Sequence, residues 1–190
     1  MSRRLMVLFV LAALALPFAA SQAQDSQPKE NAEPPKLEAC KLGEVGRIHR
    51  IGKLFLAGQP SADDFQIAKD KESLKTVINL RTTEEVEFDE AATLKKLGIE
   101  YHHLPIASPA ALKDEVFDKA RKVLSDKKNY PIMLHCASAN RVGAVWLAYR
   151  VLDEKIPYEK ALEEAKKVGL RSPDMEGRAK DYIARKTAKP

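Results

Sequence analysis

Seven consecutive residues, His135-Cys136-Ala137-Ser138-Ala139-Asn140-Arg141, hold the groups of this chain best suited to act on an anion. A cysteine is a nucleophile as its thiolate, and a positive field nearby favours that form. Arg141 can grip two oxygens of a tetrahedral anion through its planar fork, which a lysine cannot do. Between them, Ala137, Ser138 and Ala139 are small, so loop amides can come close to a bound anion, and Asn140 can orient the loop. A helix opening at about Arg141 adds its positive end to the same place. The chemistry this arrangement points to is attack of Cys136 on an oxyanion bound by Ala137, Ser138, Ala139, Asn140 and Arg141. The plainer alternative is an inert cysteine at a strand end. The fixed spacing to Arg141 and the adjoining helix start argue against it.

Other candidates surround this loop. His135 either fixes the loop by hydrogen bonds and biases Cys136 toward thiolate, or is a satisfied core histidine. Arg81, at the end of an earlier strand, falls on the same sheet edge as Cys136. It is either an extra anion contact or a surface salt bridge. His102 and His103 alternate across a strand, and neither has metal-ligand spacing with a partner. No metal and no cofactor is therefore expected. Asp63 and Asp64 read as helix-start charges.

The loop needs elements to hold it. Pro131-Ile132-Met133-Leu134 is a continuous apolar run leading into His135-Cys136, and Val142 to Leu152 is an apolar helix leading away. Upstream, Ile48 to Ala57 reads as a strand or hairpin, broken by Gly58-Gln59-Pro60. Ser61 with Asp64 starts a helix, and Thr76 to Leu80 is a short buried strand. Thr82 with Glu85 starts a second helix that Gly98 ends. Ile99 to Ile106 is a third strand, followed by an amphipathic helix over about 112–126. Pro157 opens another helix that Gly169 closes, and a last short helix falls near Met175–Ala184. Such alternation predicts an α/β fold of three layers, with a mostly parallel four- or five-stranded sheet flanked by helices. Ligands bind beyond the carboxyl ends of strands in such sheets, where Cys136 is expected.

Arg3 and Arg4 precede an apolar run from Leu5 to Ala20, and Ser21-Gln22-Ala23 offers small residues for cleavage. The run is short for a bilayer span and suited to a secretory signal. Residues 1–23 are thus expected to be a signal peptide, 24–45 a polar tether, and 46–190 one α/β domain. A periplasmic or secreted location follows, with no stable membrane insertion after cleavage. The formal net charge is +5, and the charges are interspersed rather than clustered, so nucleic acid is not an expected partner. The chain has two cysteines, Cys40 and Cys136. An exported chain often pairs its cysteines, so a Cys40–Cys136 disulfide competes with a free nucleophile.

His135-Cys136 followed by Arg141 and Gly143 resembles the signature loop of the cysteine-dependent tyrosine and dual-specificity phosphatase superfamily. The nearer resemblance is to a bacterial branch, the beta-lactamase-hydrolase-like and fused dual-specificity phosphatase-like proteins. Gly58-Gln59-Pro60, Val77-Ile78-Asn79-Leu80-Arg81, Tyr101 to Pro105 and His135 to Ala144 stand in that branch's order. The resemblance implies a parallel sheet, a phosphate-bearing substrate, a cysteinyl-phosphate intermediate and no metal. Three departures stand beside it. Four residues separate Cys136 from Arg141 where five are usual, and that shorter loop is common in rhodanese-type sulfurtransferases. Val142 replaces a hydroxyl residue that helps the thiolate leave. Pro105-Ile106-Ala107-Ser108-Pro109 lacks the aspartic acid that protonates the leaving group. The nearest carboxylates are Asp114 and Glu115. Asp114 is the candidate acid, against the alternative of a helix N-terminal charge. A phosphatase is the leading expectation. A sulfurtransferase carrying a Cys136 persulfide and a catalytically weak anion- or partner-binding module are the alternatives.

Overall fold

The computed structural model describes residues 35–188. Its strands are β1 (Glu38–Ala39), β2 (Ile48–Ile51), β3 (Leu54–Ala57), β4 (Thr76–Asn79), β5 (Glu100–His103) and β6 (Ile132–His135). Its helices are α1 (Ala62–Glu72), α2 (Glu90–Lys96), α3 (Asp114–Ser125), α4 (Asn140–Leu152), α5 (Tyr158–Val168) and α6 (Pro173–Thr187).

The strands form one sheet in the order β1-β2-β3-β6-β4-β5. Gly52, at φ 56°, turns the β2–β3 hairpin tightly enough to pair Ile51 with Leu54. From β3 onward every pairing is parallel. β4 and β6 are buried at every position, which matches the apolar centres Val77-Ile78 and Ile132-Met133-Leu134. One face of the sheet sets Ile78 and Leu134 against Phe117 of α3, Trp146 of α4 and Tyr182 of α6. The other sets Val77 and Met133 against Phe65 of α1 and Leu94 of α2. Three layers result, with α4 buried on nearly every side.

Four expectations change. The sheet has six strands rather than four or five, because the β2–β3 hairpin supplies two and β1 adds an antiparallel edge. Residues 38–45, assigned from sequence to the tether, belong to the fold: β1 pairs with β2, and Leu42 and Val45 are buried. Their apolar side chains are too widely spaced to show a local pattern. The helix expected from Thr82 is a single 3-10 turn, Thr83–Glu85, and α2 begins only after the Asp89 cap. There the Glu85 carboxylate accepts from the Thr82 amide and also pairs with Arg141, while Val86 turns extended. The last helix is also longer than expected, capped by Ser172 with Pro173 in its first turn. The signal expected over 1–23 lies outside the described residues.

The sheet register settles the cysteine question. Extending β1 places Cys40 opposite Ile48, and its N–H donates to the Ile48 carbonyl at 3.2 Å. Ile48 pairs with Ala57 and Ala57 with His135, next to Cys136. Three strand spacings of about 4.8 Å each put roughly 14 Å between the two positions, far beyond a disulfide's reach. Both cysteines are free thiols.

Candidate active site

β6 carries His135 and Cys136 to the carboxyl end of the sheet, where both are almost wholly buried. The Cys136 N–H donates to the Ala57 carbonyl at 3.3 Å. Gly58 follows directly, and a Cβ there would stand 3.4 Å from the Ala137 carbonyl, so the Gly58-Gln59-Pro60 turn runs close beside the loop. The loop ends at Ala139, a non-glycine residue in the left-handed region at φ 62°. Its carbonyl accepts the first α4 bond, from Gly143 at 2.9 Å. A Cβ on Gly169 would lie 3.0 Å from the Ala139 Cβ, so glycine leaves this bend its room.

Arg141 lies in the first turn of α4, and its side chain turns inward. Nη1 donates to the carbonyls of Leu80 (3.1 Å) and Ile106 (3.0 Å) and to Glu85 Oε2 (2.6 Å). Nη2 donates to Glu85 Oε1 at 2.6 Å. The guanidinium is thereby fixed across the ends of β4 and of the segment after β5. An arginine has five N–H donors in a fixed fork. Nη1 is occupied and Nη2 half occupied, so Nε–H and one Nη2–H are left on the remaining edge. Burial opposes the Arg141 charge, but the hydrogen bonds to Glu85 and the attraction of Cys136 outweigh it and raise its pKa. The Arg141 hydrogen bonds in turn hold the Glu85 carboxyl at a pKa of about 2. The pair is ionised at any ordinary pH.

A second brace holds the loop from outside. Arg171, between α5 and α6, donates from Nη2 to Ser138 Oγ at 2.7 Å and from Nη1 to the Ser138 and Gly169 carbonyls at 3.3 and 3.2 Å. The amides of Arg171 and Ser172 both donate to Asn140 Oδ1, at 2.9 and 3.2 Å. Asn140 thus orients the loop by tying it to the α5–α6 connection.

Arg81 is 4% exposed, so it is not a surface salt bridge. Its amide donates to Asn79 Oδ1 at 2.7 Å and its carbonyl meets His103 Nε2 at 2.7 Å. Its Nε and Nη1 are buried without a hydrogen-bond partner among the described residues. Buried N–H groups without a partner are costly, and an oxyanion can satisfy them beyond the charge that the Glu85 carboxylate already offers. His135 Nε2 sits 3.0 Å from Glu90 Oε1, a buried contact. The Asp114 carboxylate accepts two hydrogen bonds from Arg185, at 3.1 and 2.6 Å, and is engaged there rather than with the loop. Glu85, Glu90 and Arg171 were not identified as site residues from sequence. Glu85 read there only as a cap, and the contacts of all three span long stretches of chain. No group of three or more potential metal ligands occurs among the described residues.

A thiol and a guanidinium converging at the carboxyl end of a parallel strand, with small loop residues between, define a protein of the cysteine-phosphatase type. The profile of the tyrosine phosphatase family matches residues 44–155, more than half of the chain, and the chain belongs to that family. Solved structures agree on the fold. TpbA of P. aeruginosa, crystallised as a cysteine-to-serine variant in complex with pTyr, superposes with a TM-score of 0.61 at 21% identity, over 80% of this chain and 91% of that one. The core catalytic domain of the PP-IP phosphatase SIW14 from S. cerevisiae gives 0.60 at 17% identity, over 80% and 88%. Tk-PTP in its active form gives 0.58 at 19% identity, over 70% and 93%. No curated protein matches the chain in sequence.

Proposed function

We propose that this chain is an exported cysteine-dependent phosphatase that hydrolyses phosphate monoesters through a cysteinyl-phosphate intermediate. The observation that carries this reading is the Arg141 fork, locked by Glu85 and the Leu80 and Ile106 carbonyls in the same loop as Cys136, at the carboxyl end of β6. In the first step Cys136 Sγ attacks phosphorus and the ester oxygen leaves. Arg141 and the loop amides hold the equatorial oxygens as charge develops on them. Water then attacks phosphorus, and the thiolate is released. The unpartnered Arg81 N–H groups support an anionic substrate, and phosphotyrosine in TpbA makes aryl phosphates the first class to test. Export rests on Arg3, Arg4 and the apolar run Leu5 to Ala20. Among the described residues no helix is long and apolar enough to cross a membrane.

The experiment is hydrolysis of an aryl phosphate by purified protein under reducing conditions, beside Cys136→Ser. The variant is expected to lose activity by at least a thousandfold. Thiosulfate with cyanide is run in parallel. Thiocyanate formation without phosphate release contradicts the proposal and supports persulfide chemistry.

A further inference from the structure

Resting on the phosphatase reading, we infer that the cleft between the segment after β5 and α6 holds the leaving group, and that Asp174 supplies its proton. The segment after β5 lacks an aspartic acid, and Asp114 is held by Arg185. A phosphatase acting on unactivated esters needs that acid from somewhere else.

The cleft has a volume of about 460 Å³. That suits one aromatic or alcohol-sized group with its flanks. Ser108, Pro109 and Ala110 form one wall, and Pro173, Asp174, Gly177, Arg178 and Asp181 form the other. Both walls are tethered to the catalytic loop. Ser108 comes two residues after Ile106, whose carbonyl accepts from Arg141. Asp174 comes two residues after Ser172, whose amide donates to Asn140. Each wall therefore begins two residues from a hydrogen bond to Arg141 or Asn140. Asp174 is exposed and makes no hydrogen bond or ion pair among the described residues, so its carboxyl is available. Asp181 also lines the cleft, but it lies seven residues further along α6, about 10 Å beyond Asp174 along the helix axis.

The S–P bond forms as the P–O bond breaks, and the departing oxygen takes the proton of the Asp174 carboxyl. The resulting carboxylate accepts a proton from the water that next attacks phosphorus. The S–P bond breaks, phosphate leaves, and the acid is restored.

The test uses two esters that differ in their need for a proton, phenyl phosphate and dinitrophenyl phosphate. kcat/KM is compared because it reports only the steps through formation of the cysteinyl phosphate. Asp174→Asn is expected to lower kcat/KM for phenyl phosphate on the order of 100-fold and to flatten the basic limb of its pH profile. For the dinitrophenyl ester the change is expected to stay within about threefold, because that leaving group departs without help. Equal losses on both esters, or no loss on either, overturn the assignment. So does the same leaving-group-dependent loss in Asp181→Asn with none in Asp174→Asn. Failure of the unaltered protein to hydrolyse either ester overturns the phosphatase reading itself, and this inference with it.

Discussion

At the scale of single residues, Arg141 donates to Leu80, Ile106 and both oxygens of Glu85 before any substrate arrives. That Cys136 and Arg141 share one short loop after a buried strand was legible in sequence, because small residues lie between them at fixed spacing. Glu85 was not, since its partner stands 56 positions away. The pair has a testable pH signature. Glu85 has a folded pKa of about 2 against an ordinary 4.5. A depressed carboxylate stabilises the fold fully above its unfolded pKa, and that contribution is lost as pH falls toward the folded value. The stability difference between the natural chain and Glu85→Gln is therefore expected to be constant above about pH 5 and to close between pH 4.5 and 2. Denaturant unfolding at stepped pH measures it. A difference that ignores pH across that window contradicts a charged pair.

At the scale of elements, α4 depends on one glycine. A Cβ on Gly143 would stand 2.7 Å from the Leu170 Cβ and 2.8 Å from the Ala165 carbonyl. Without it, α4 cannot lie close enough to α5 to keep Asn140 within reach of Arg171 and Ser172. Gly143→Ala is expected to destabilise the fold by about 1–3 kcal/mol, read from the denaturant midpoint. Gly177 makes the contrast, since a Cβ there meets nothing within 4 Å in the interior of α6. Gly177→Ala is expected to be neutral or to stabilise by up to about 1 kcal/mol. Equal effects at the two positions contradict the packing account. The strands and helices flanking the loop were readable from their periodicity. β1 was not: two residues paired only through β2 leave no periodic trace. The turn at Thr83–Glu85 was misread because its capping pattern is the same one that opens full helices.

At the scale of the whole molecule, distant parts of the chain converge on one edge of the sheet. β3 and β6 bring Gly58 beside the loop, β4 and β5 supply the carbonyls and Arg81, and the α5–α6 connection braces it from outside. The layered fold was legible because the buried parallel strands β4 and β6 have apolar centres and alternate with helices. The convergence was not, because it is set by register and strand order, which no local pattern encodes. Register also keeps Cys40 about three strand spacings from Cys136, so a disulfide within one chain cannot cap the Cys136 thiol. If these segments together form an oxyanion site, an anion bound there stabilises all of them at once. The most direct measurement is thermal unfolding of the purified protein against increasing phosphate or orthovanadate, beside Arg141→Met. Saturation at 100 times the dissociation constant is worth about 2.7 kcal/mol, a rise of several degrees. The account predicts that rise in the natural chain and its absence in Arg141→Met. The same rise in both proteins, or none in either, would contradict it.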